Sequence, residues 1–384
     1  MSGAPMETDA DGATDGPDAA ERLILDESAA ARRGVRADEL VVIAEECPAL
    51  ALAVAGEFGG DGEVRAVRVH QDALTGEQTL AANAAARGLT GRVRSLPLSP
   101  GLVRGARVVL LRLPRSLDAL RDVAGLIAAH ADPAVAVFAG GRIKHMSLGM
   151  NDVLRAFFHR VDVSHARQKS RVLIARSPHD GRDPAPTAAR VDVPGLEDVA
   201  DGVEVRAFGG AFAGARLDLG TRMLLASLLP AAVDAPGGTA DDPWIDLACG
   251  TGIVAASLAL RCPSAHVYAT DRSAAAVASA RATMLANGVA DRVSVVRDDA
   301  LRSRADAGAS LIALNPPFHA GAALTTALAT ALFADAARVL RPGGQLWCVW
   351  NSPLRYRPHL EHLVGPTRQV ARGPKFTVTV STRG

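Results

Sequence analysis

Trp244-Ile245-Asp246-Leu247-Ala248-Cys249-Gly250-Thr251-Gly252 reads as a short apolar strand running into a glycine turn, and Ile253–Arg261 behind it carries a helical period. Glycines at 250 and 252 let the chain turn tightly and bring its backbone close to a ligand, with no Cβ in the way. The helix that follows offers unpaired N–H groups at its start. Asp271 ends the next apolar run, 19 residues beyond Gly252, where a carboxylate can accept from ribose hydroxyls. Strand, glycine turn, helix and strand together open a doubly wound α/β sheet.

Further strand-like runs recur outward from this unit, at His266–Thr270, Arg292–Arg297, Ser310–Leu314 and Gln345–Trp350. Helical-period segments Ser273–Asn287 and Ala323–Leu340 lie between them. The other half of the chain repeats the order, with Leu40–Ala44, Val64–His70, Arg92–Leu96, Arg107–Leu111 and Ala134–Ala139. Laid over each other at an offset of about 200 residues, the halves match as an internal duplication. Gly88 falls on Gly288, Gly91-Arg92-Val93 on Asp291-Arg292-Val293, and Leu110–Pro114 near Ala313–Pro317. What differs is chemical. The first half has Ile43-Ala-Glu-Glu-Cys-Pro-Ala49 for the glycine loop, Gln71 for Asp271, Ser99 for Asp299, and a Leu-Pro-Arg for Asn315-Pro-Pro-Phe318. The second half is therefore expected to work and the first to serve as scaffold or recognition domain. The expected domains are an acidic disordered tail at 1–20, the first unit at 21–176, a Pro/Gly/Asp-rich linker at 177–199, and the working unit at 200–384.

Composition bounds the class. Of 384 residues, 48% are hydrophobic and 22% charged, which is ordinary globular usage and excludes wholesale disorder. No run approaches the 18 or so apolar residues of a membrane span, and the acidic N-terminus has no secretory pattern. Cys47, Cys249, Cys262 and Cys348 form no C-x-x-C pair, and the histidines have no coordination spacing, so no metal and no disulfide framework are expected. A cytoplasmic location fits best.

The glycine loop alone also matches the G-x-G-x-x-A dinucleotide fingerprint, as Gly250-Thr-Gly252-Ile-Val-Ala255. Two features tilt the reading. Asp246, four residues before Gly250, would face a pyrophosphate unfavourably but can accept from an amino-acid ammonium. Asp298-Asp299-Ala300 follows the third strand, where a carboxylate can accept from an adenine amine. This set suits S-adenosylmethionine, with Asp246, Cys249, Gly250, Gly252, Asp271, Asp299 and Ala300 as its expected contacts. Asp218, in Leu217-Asp218-Leu-Gly220, either caps the apolar helix behind it or closes over the cofactor.

Leu314-Asn315-Pro316-Pro317-Phe318-His319 follows the fourth strand and is the most specific signal in the chain. Two prolines fix the backbone and remove two N–H donors. The Asn315 side-chain oxygen and the Pro316 carbonyl can then accept from one planar NH2 group and aim its lone pair at a methyl carbon. Phe318 can stack on the base that carries the amine. Asn315, Pro316, Pro317 and Phe318 are the expected catalytic set; His319 is not assigned as a base.

With these residues in place, the chain resembles the class I methyltransferases of the RsmC/RlmG type, duplicated-domain ribosomal RNA guanine-N2 methyltransferases. The resemblance covers most of the chain: Leu217-Asp218-x-Gly220, the Asp246–Gly252 loop, Asp271, Asn315–His319, and Asn351, Tyr356 and Lys375-Phe376. In the first half it covers Gly141-Arg-Ile-Lys144 and Gln168-Lys169-Ser-Arg171-Val-Leu-Ile. It implies two tandem Rossmann-like methyltransferase domains, the N-terminal one degenerate and helping to hold RNA. It also implies methyl transfer to the N2 amine of a guanine in ribosomal RNA. The chain departs from the family at Ala248, where glycine is usual, around Asp298-Asp299, and in its acidic tail. The N-P-P-F motif also occurs in adenine-N6 and glutamine-N5 methyltransferases.

Residues 141–176 hold eight basic side chains against Asp152 and Asp162, and residues 338–384 hold eight against Glu361. Such runs release counterions from a phosphate backbone. Arg142, Lys144, Arg167, Lys169, Arg171 and Lys375 are the expected RNA contacts, and the expected partner is ribosomal RNA or a ribosomal subunit assembly intermediate, met by a monomer. The rival readings are a nicotinamide-dependent oxidoreductase on the same loop and a non-catalytic RNA-binding assembly factor.

Overall fold

Val41, Val42 and Leu110 in one half of the chain, and Ile245 with Leu311–Leu314 in the other, are buried whichever way they point along their strands. Only a sheet covered on both faces allows that. The computed structural model describes residues 16–44, 48–58, 65–198, 202–317 and 322–384. It divides into two units, one comprising residues up to Gln71 with Gly76–Asp183, the other Asp72–Thr75 with Pro184–Gly384.

The first unit contains β1 (Leu40–Ala44), β2 (Val67–Gln71), β3 (Val93–Ser95), β4 (Val108–Arg112), β5 (Ala136–Arg142), β6 (Phe158–Val163) and β7 (Ser170–Pro178). The second opens with a two-stranded sheet, β8 (Thr187–Val191) and β9 (Val203–Ala207). It continues with β10 (Trp244–Leu247), β11 (Val267–Asp271), β12 (Val293–Arg297), β13 (Ala309–Leu314), β14 (Leu340–Asn351), β15 (Thr367–Arg372) and β16 (Phe376–Thr382). The two seven-stranded sheets have the same order, β3-β2-β1-β4-β5-β7-β6 and β12-β11-β10-β13-β14-β16-β15. In each, five parallel strands are followed by an antiparallel hairpin. The duplication read from the sequence is a duplication of topology.

Strand pairing fixes the correspondence residue by residue. Ile43 pairs with Leu111 as Leu247 pairs with Leu314, so Arg112 takes the place of Asn315. The same register puts the buried Val42, not Ile43, at the position of Asp246, a shift of one residue from the sequence overlay. Arg142 pairs with Ser170 as Asn351 pairs with Phe376. Just beyond, the Ile143 N–H donates to the Lys169 carbonyl at 2.9 Å as the Ser352 N–H does to that of Lys375 at 2.8 Å.

Two expectations about domain limits are revised. Residues 16–20 do not belong to a disordered tail. Asp18 caps the helix Ala19–Arg32 by accepting from the Ala20 and Glu21 N–H groups, and the Glu21 carboxylate accepts in return from the Asp18 N–H. This capping box is readable as an acid followed three residues later by Glu. Residues 1–15 lie outside the described residues. The segment read as a linker contains β8, which pairs with β9. The N–H groups of β9 are satisfied by a helix: those of Glu204, Arg206 and Phe208 donate to Asn287, Thr283 and Ser279, which lie four residues apart along one face of Ala274–Ala286 and its cap. Those polar residues look out of place in an alanine-rich helix until the strand is seen against them.

Candidate functional site

Asp246, Cys249, Gly250, Gly252, Asp271, Asp299, Ala300 and Asn315 lie in or just past the carboxyl ends of β10, β11, β12 and β13, where ligands bind in open α/β sheets. Asp246 sits within β10, only 3% exposed, and its Oδ2 accepts from the Ala255 N–H at 2.9 Å in the first turn of Ile253–Arg261. Burial pushes its carboxyl up to about 7, against the pull of that hydrogen bond, and the nearby Asp271 adds to the rise. A cation placed beside it would restore its charge.

Asp271 organises the glycine loop. Its Oδ2 accepts from the Gly250 N–H at 3.0 Å and its Oδ1 from the Ser273 N–H at 2.9 Å, so one carboxylate ties the turn to the start of the next helix. Burial raises its pKa, and those two hydrogen bonds oppose the rise. The two glycines differ in their task. A Cβ on Gly250 would meet nothing within 4 Å, leaving the space over the loop open; one on Gly252 would stand 2.9 Å from both the Ala280 Cβ and the Met284 Cε. Gly250 opens the loop to a ligand, and Gly252 lets two helices pack. Cys249 is buried, and burial followed by the charges of Asp246 and Asp271 holds its thiol protonated, so it packs rather than reacts.

Ala248 has φ of +58°, the left-handed conformation that glycine adopts without strain. A side chain there costs roughly 1–2 kcal/mol, part of which a glycine would return through the entropy of the unfolded chain. Ala248→Gly is therefore expected to stabilise the protein by about 0.5–1 kcal/mol, a rise of roughly 2 °C in Tm for a domain of this size. Differential scanning calorimetry checks it; an unchanged or lower Tm contradicts the strain.

At the end of β12 the two aspartates separate in role. Asp298 is consumed locally: its Oδ1 accepts from the Asp299 N–H, and its Oδ2 from the Ser303 N–H and hydroxyl. The Asp299 carboxylate is not consumed in this way and pairs with the exposed Arg302 at 3.0 Å. Ala300, also at φ +58°, turns the chain behind it.

Asn315 follows β13, and its amide is held in one orientation. Nδ2 donates to the Thr221 Oγ1 at 2.9 Å and points to the Asp218 Oδ2 at 3.5 Å. A carboxylate oxygen can only accept, so the NH2 end must face it and Oδ1 must face away. That Oδ1 is buried and accepts nothing among the described residues. Asp218, left open between two roles, caps Leu219–Ala232 by accepting from the Gly220 and Thr221 N–H groups at 2.8 and 3.3 Å, and turns its other oxygen to Asn315. Thr221 was missed. It is the third helical residue after the Asp218 cap, so both project from one turn, and that spacing was the available signal. A Cβ on Gly220 would stand 3.1 Å from the Phe376 ring and from Asp218, so the close approach needs glycine. Pro316 is buried and Pro317 exposed, while Phe318 and His319 lie outside the described residues.

The six expected RNA contacts are not one cluster by sequence. Lys375 is exposed at the turn before β16 in the second unit. In the first unit, Gln168 and Lys169 form the tight turn between β6 and β7, both at positive φ. Arg167 beside them is paired with Asp26 at 2.6 Å, and Arg171 lies partly buried in β7. Arg142 ends β5, and Lys144 is exposed behind it. Among the described residues, no group of three or more His, Cys, Asp or Glu is placed to hold a metal ion, and no helix is long and apolar enough to cross a membrane.

Comparison with known proteins gives the same division. Residues 202–380 match the methyltransferase small domain family and residues 9–179 the RLMG N-terminal domain family. A protein of Ectopseudomonas mendocina called ribosomal RNA large subunit methyltransferase G is 31% identical over 374 residues, 95% of this chain and 93% of that one. A protein of the same name from Streptomyces avermitilis is 34% identical over 273 residues, covering 71% of this chain and 70% of its own. Among solved structures, a 16S rRNA N2 methyltransferase, RsmC, of T. thermophilus in complex with AdoMet and guanosine has the same fold: TM-score 0.72, 20% identity, over 96% of this chain and 92% of that one.

Proposed function

Because the chain belongs to the ribosomal RNA large subunit methyltransferase G family, we propose that it transfers a methyl group from S-adenosylmethionine to the N2 amine of a guanine in large-subunit ribosomal RNA, in the cytoplasm. The observation that carries this reading is the buried Oδ1 of Asn315, which accepts nothing among the described residues while Thr221 and Asp218 hold the other end of the amide.

The residues fit the cofactor. Asp246 would take its ammonium, the open backbone at Gly250 its amino-acid end, Asp271 its ribose and Asp299 its adenine. When bound, S-adenosylmethionine supplies an electrophilic methyl carbon attached to a sulfonium. The protein's part is to present the amine. Guanine N2 is a weak nucleophile because its lone pair is delocalised into the ring. Asn315 Oδ1 and the Pro316 carbonyl accept its two N–H groups and turn the lone pair toward the methyl carbon. With the donor bound, the amine would take the methyl as the C–S bond gave its electron pair back to sulfur, and the surplus N–H proton would leave to water. Phe318, by its place in the motif, would supply a stacking surface for the base. A paired guanine would first have to leave its stack, at a cost of a few kcal/mol.

The test is transfer of labelled methyl to deproteinised large-subunit rRNA, followed by mass-spectrometric mapping. The expected product is N2-methylguanine at one position. Label in adenine N6 or in protein glutamine, or none in RNA, would remove the guanine assignment. Tight NAD binding without S-adenosylhomocysteine binding would return the nicotinamide reading.

A further inference from the structure

The first unit lacks the chemical residues of the second, and the strand register shows what stands in the vacated places. Arg112 occupies the position of Asn315, and the exposed Arg115 follows three residues on. Arg142 occupies that of Asn351. The anchoring is retained. Asp18 caps Ala19–Arg32 through Oδ1 and meets the Arg112 Nη2 through Oδ2 at 2.7 Å, just as Asp218 caps Leu219–Ala232 and faces the Asn315 amide. A neutral acceptor for an amine has thus become a held cation, at the same corner of the same fold.

We propose that this corner of the N-terminal unit is a binding site for the phosphate backbone of an RNA strand, formed by Arg112, Arg115, Arg142 and Lys144, with Ile143 and Leu148 packing against the nucleotides. The proposal rests on the function given above and adds where the first unit would grip that substrate. Four observations support it. Arg115, Arg142 and Lys144 lie within 4 Å of no carboxylate among the described residues. The Nη1 of Arg112 is buried without an acceptor there, so only the Nη2 end of its guanidinium is paired, to Asp18. Ile143 and Leu148 are 41% and 84% exposed, an apolar tip of the kind that fits against unstacked bases and riboses. The local field is strong, too: desolvation and then the charges of Arg115, Lys144, Arg142 and Arg112 hold the His145 imidazole below its usual range. An acidic protein surface would use the cations but would have no use for the exposed Ile143 and Leu148.

The measurement is titration of a labelled, deproteinised fragment of large-subunit rRNA with the full-length protein at several salt concentrations. Arg142→Glu combined with Lys144→Glu is expected to weaken binding tenfold or more near 0.1 M salt. The salt dependence should flatten by about 1.4–1.8 in log–log slope, two phosphate contacts' worth. The control is Arg155→Glu with Arg160→Glu, which makes the same charge change in the same basic stretch of sequence. These two arginines already face Asp152 and Asp162, at 3.7 and 2.7 Å. It should move affinity less than twofold, and an unchanged Tm confirms that both variants fold. If the wild type binds RNA and the two double variants lose affinity equally, or neither loses any, the site is overturned while the enzymatic reading stands. If the wild type binds no RNA, the enzymatic reading falls first.

Discussion

Asn315→Ala is expected to lower kcat for methyl transfer to RNA by about 10²-fold or more while leaving S-adenosylhomocysteine affinity within twofold, since positioning effects are of that size. The hydrogen bonds of this side chain go to Thr221 and Asp218 and not to the glycine loop, and its Oδ1 is left without a partner among the described residues. Losing it removes an acceptor that matters when the amine is aimed, so the loss falls on turnover and not on cofactor binding. The anchors make the expectation sharper. Thr221→Val removes one acceptor for Nδ2 but keeps the carboxylate, and should cost about tenfold. Asp218→Asn keeps a capping oxygen for the helix yet allows an NH2 to face the Asn315 amide. The amide is then free to flip and present a donor to a donor, and the loss should approach that of Asn315→Ala. Single-turnover assays with labelled donor, alongside equilibrium binding of S-adenosylhomocysteine, separate these cases. Full turnover by Asn315→Ala would end the role given to it.

The parts of this machinery that were legible in the sequence are those set by local backbone chemistry. The glycine loop, the aspartate ending β11 and the Asn-Pro-Pro turn after β13 each announce themselves within a few residues, because turn and strand end are decided there. The tandem repeat was legible for the same reason: the buried parallel strands leave continuous apolar runs. What was not legible depends on partners far apart in the chain. Asp218 reads equally as a cap or a ligand until Asn315 is seen 3.5 Å from its second oxygen. Asp298 and Asp299 look alike until Ser303 claims the first. The strand pair β8 and β9 hid in a Pro/Gly-rich stretch because β9 pairs with β8 alone and turns its other edge to Ser279, Thr283 and Asn287, not to a further strand that the pattern would reveal. Basic runs misled in the other direction. Arg160 and Arg167 stand in the same run as Arg142 and Lys144, yet each of the former is answered by an aspartate.

Asp246→Asn is expected to weaken S-adenosylhomocysteine binding by about 10²-fold and, without ligand, to make the protein more stable at alkaline pH. The Asp246 carboxyl titrates at about 7 in the fold against 3.8 as its ordinary value. Between those pH values the folded chain holds a proton that the unfolded chain releases, so stability falls as pH rises through the window and levels off above it. The displacement of about three units corresponds to on the order of 4 kcal/mol, fully lost above pH 7. Asparagine carries no charge and still offers an oxygen to the Ala255 N–H, so it escapes that loss, although its own NH2 must find an acceptor. Its Tm without ligand should match or trail the wild type at pH 4 and exceed it by several degrees at pH 8. An ammonium seated beside Asp246 reverses the balance by favouring the carboxylate, so binding to the wild type below pH 7 should release a proton, detectable as a buffer-dependent calorimetric heat. A variant less stable than the wild type at pH 8, or one that binds S-adenosylhomocysteine undiminished, would mean that Asp246 is a structural acid and not the cofactor's counterion.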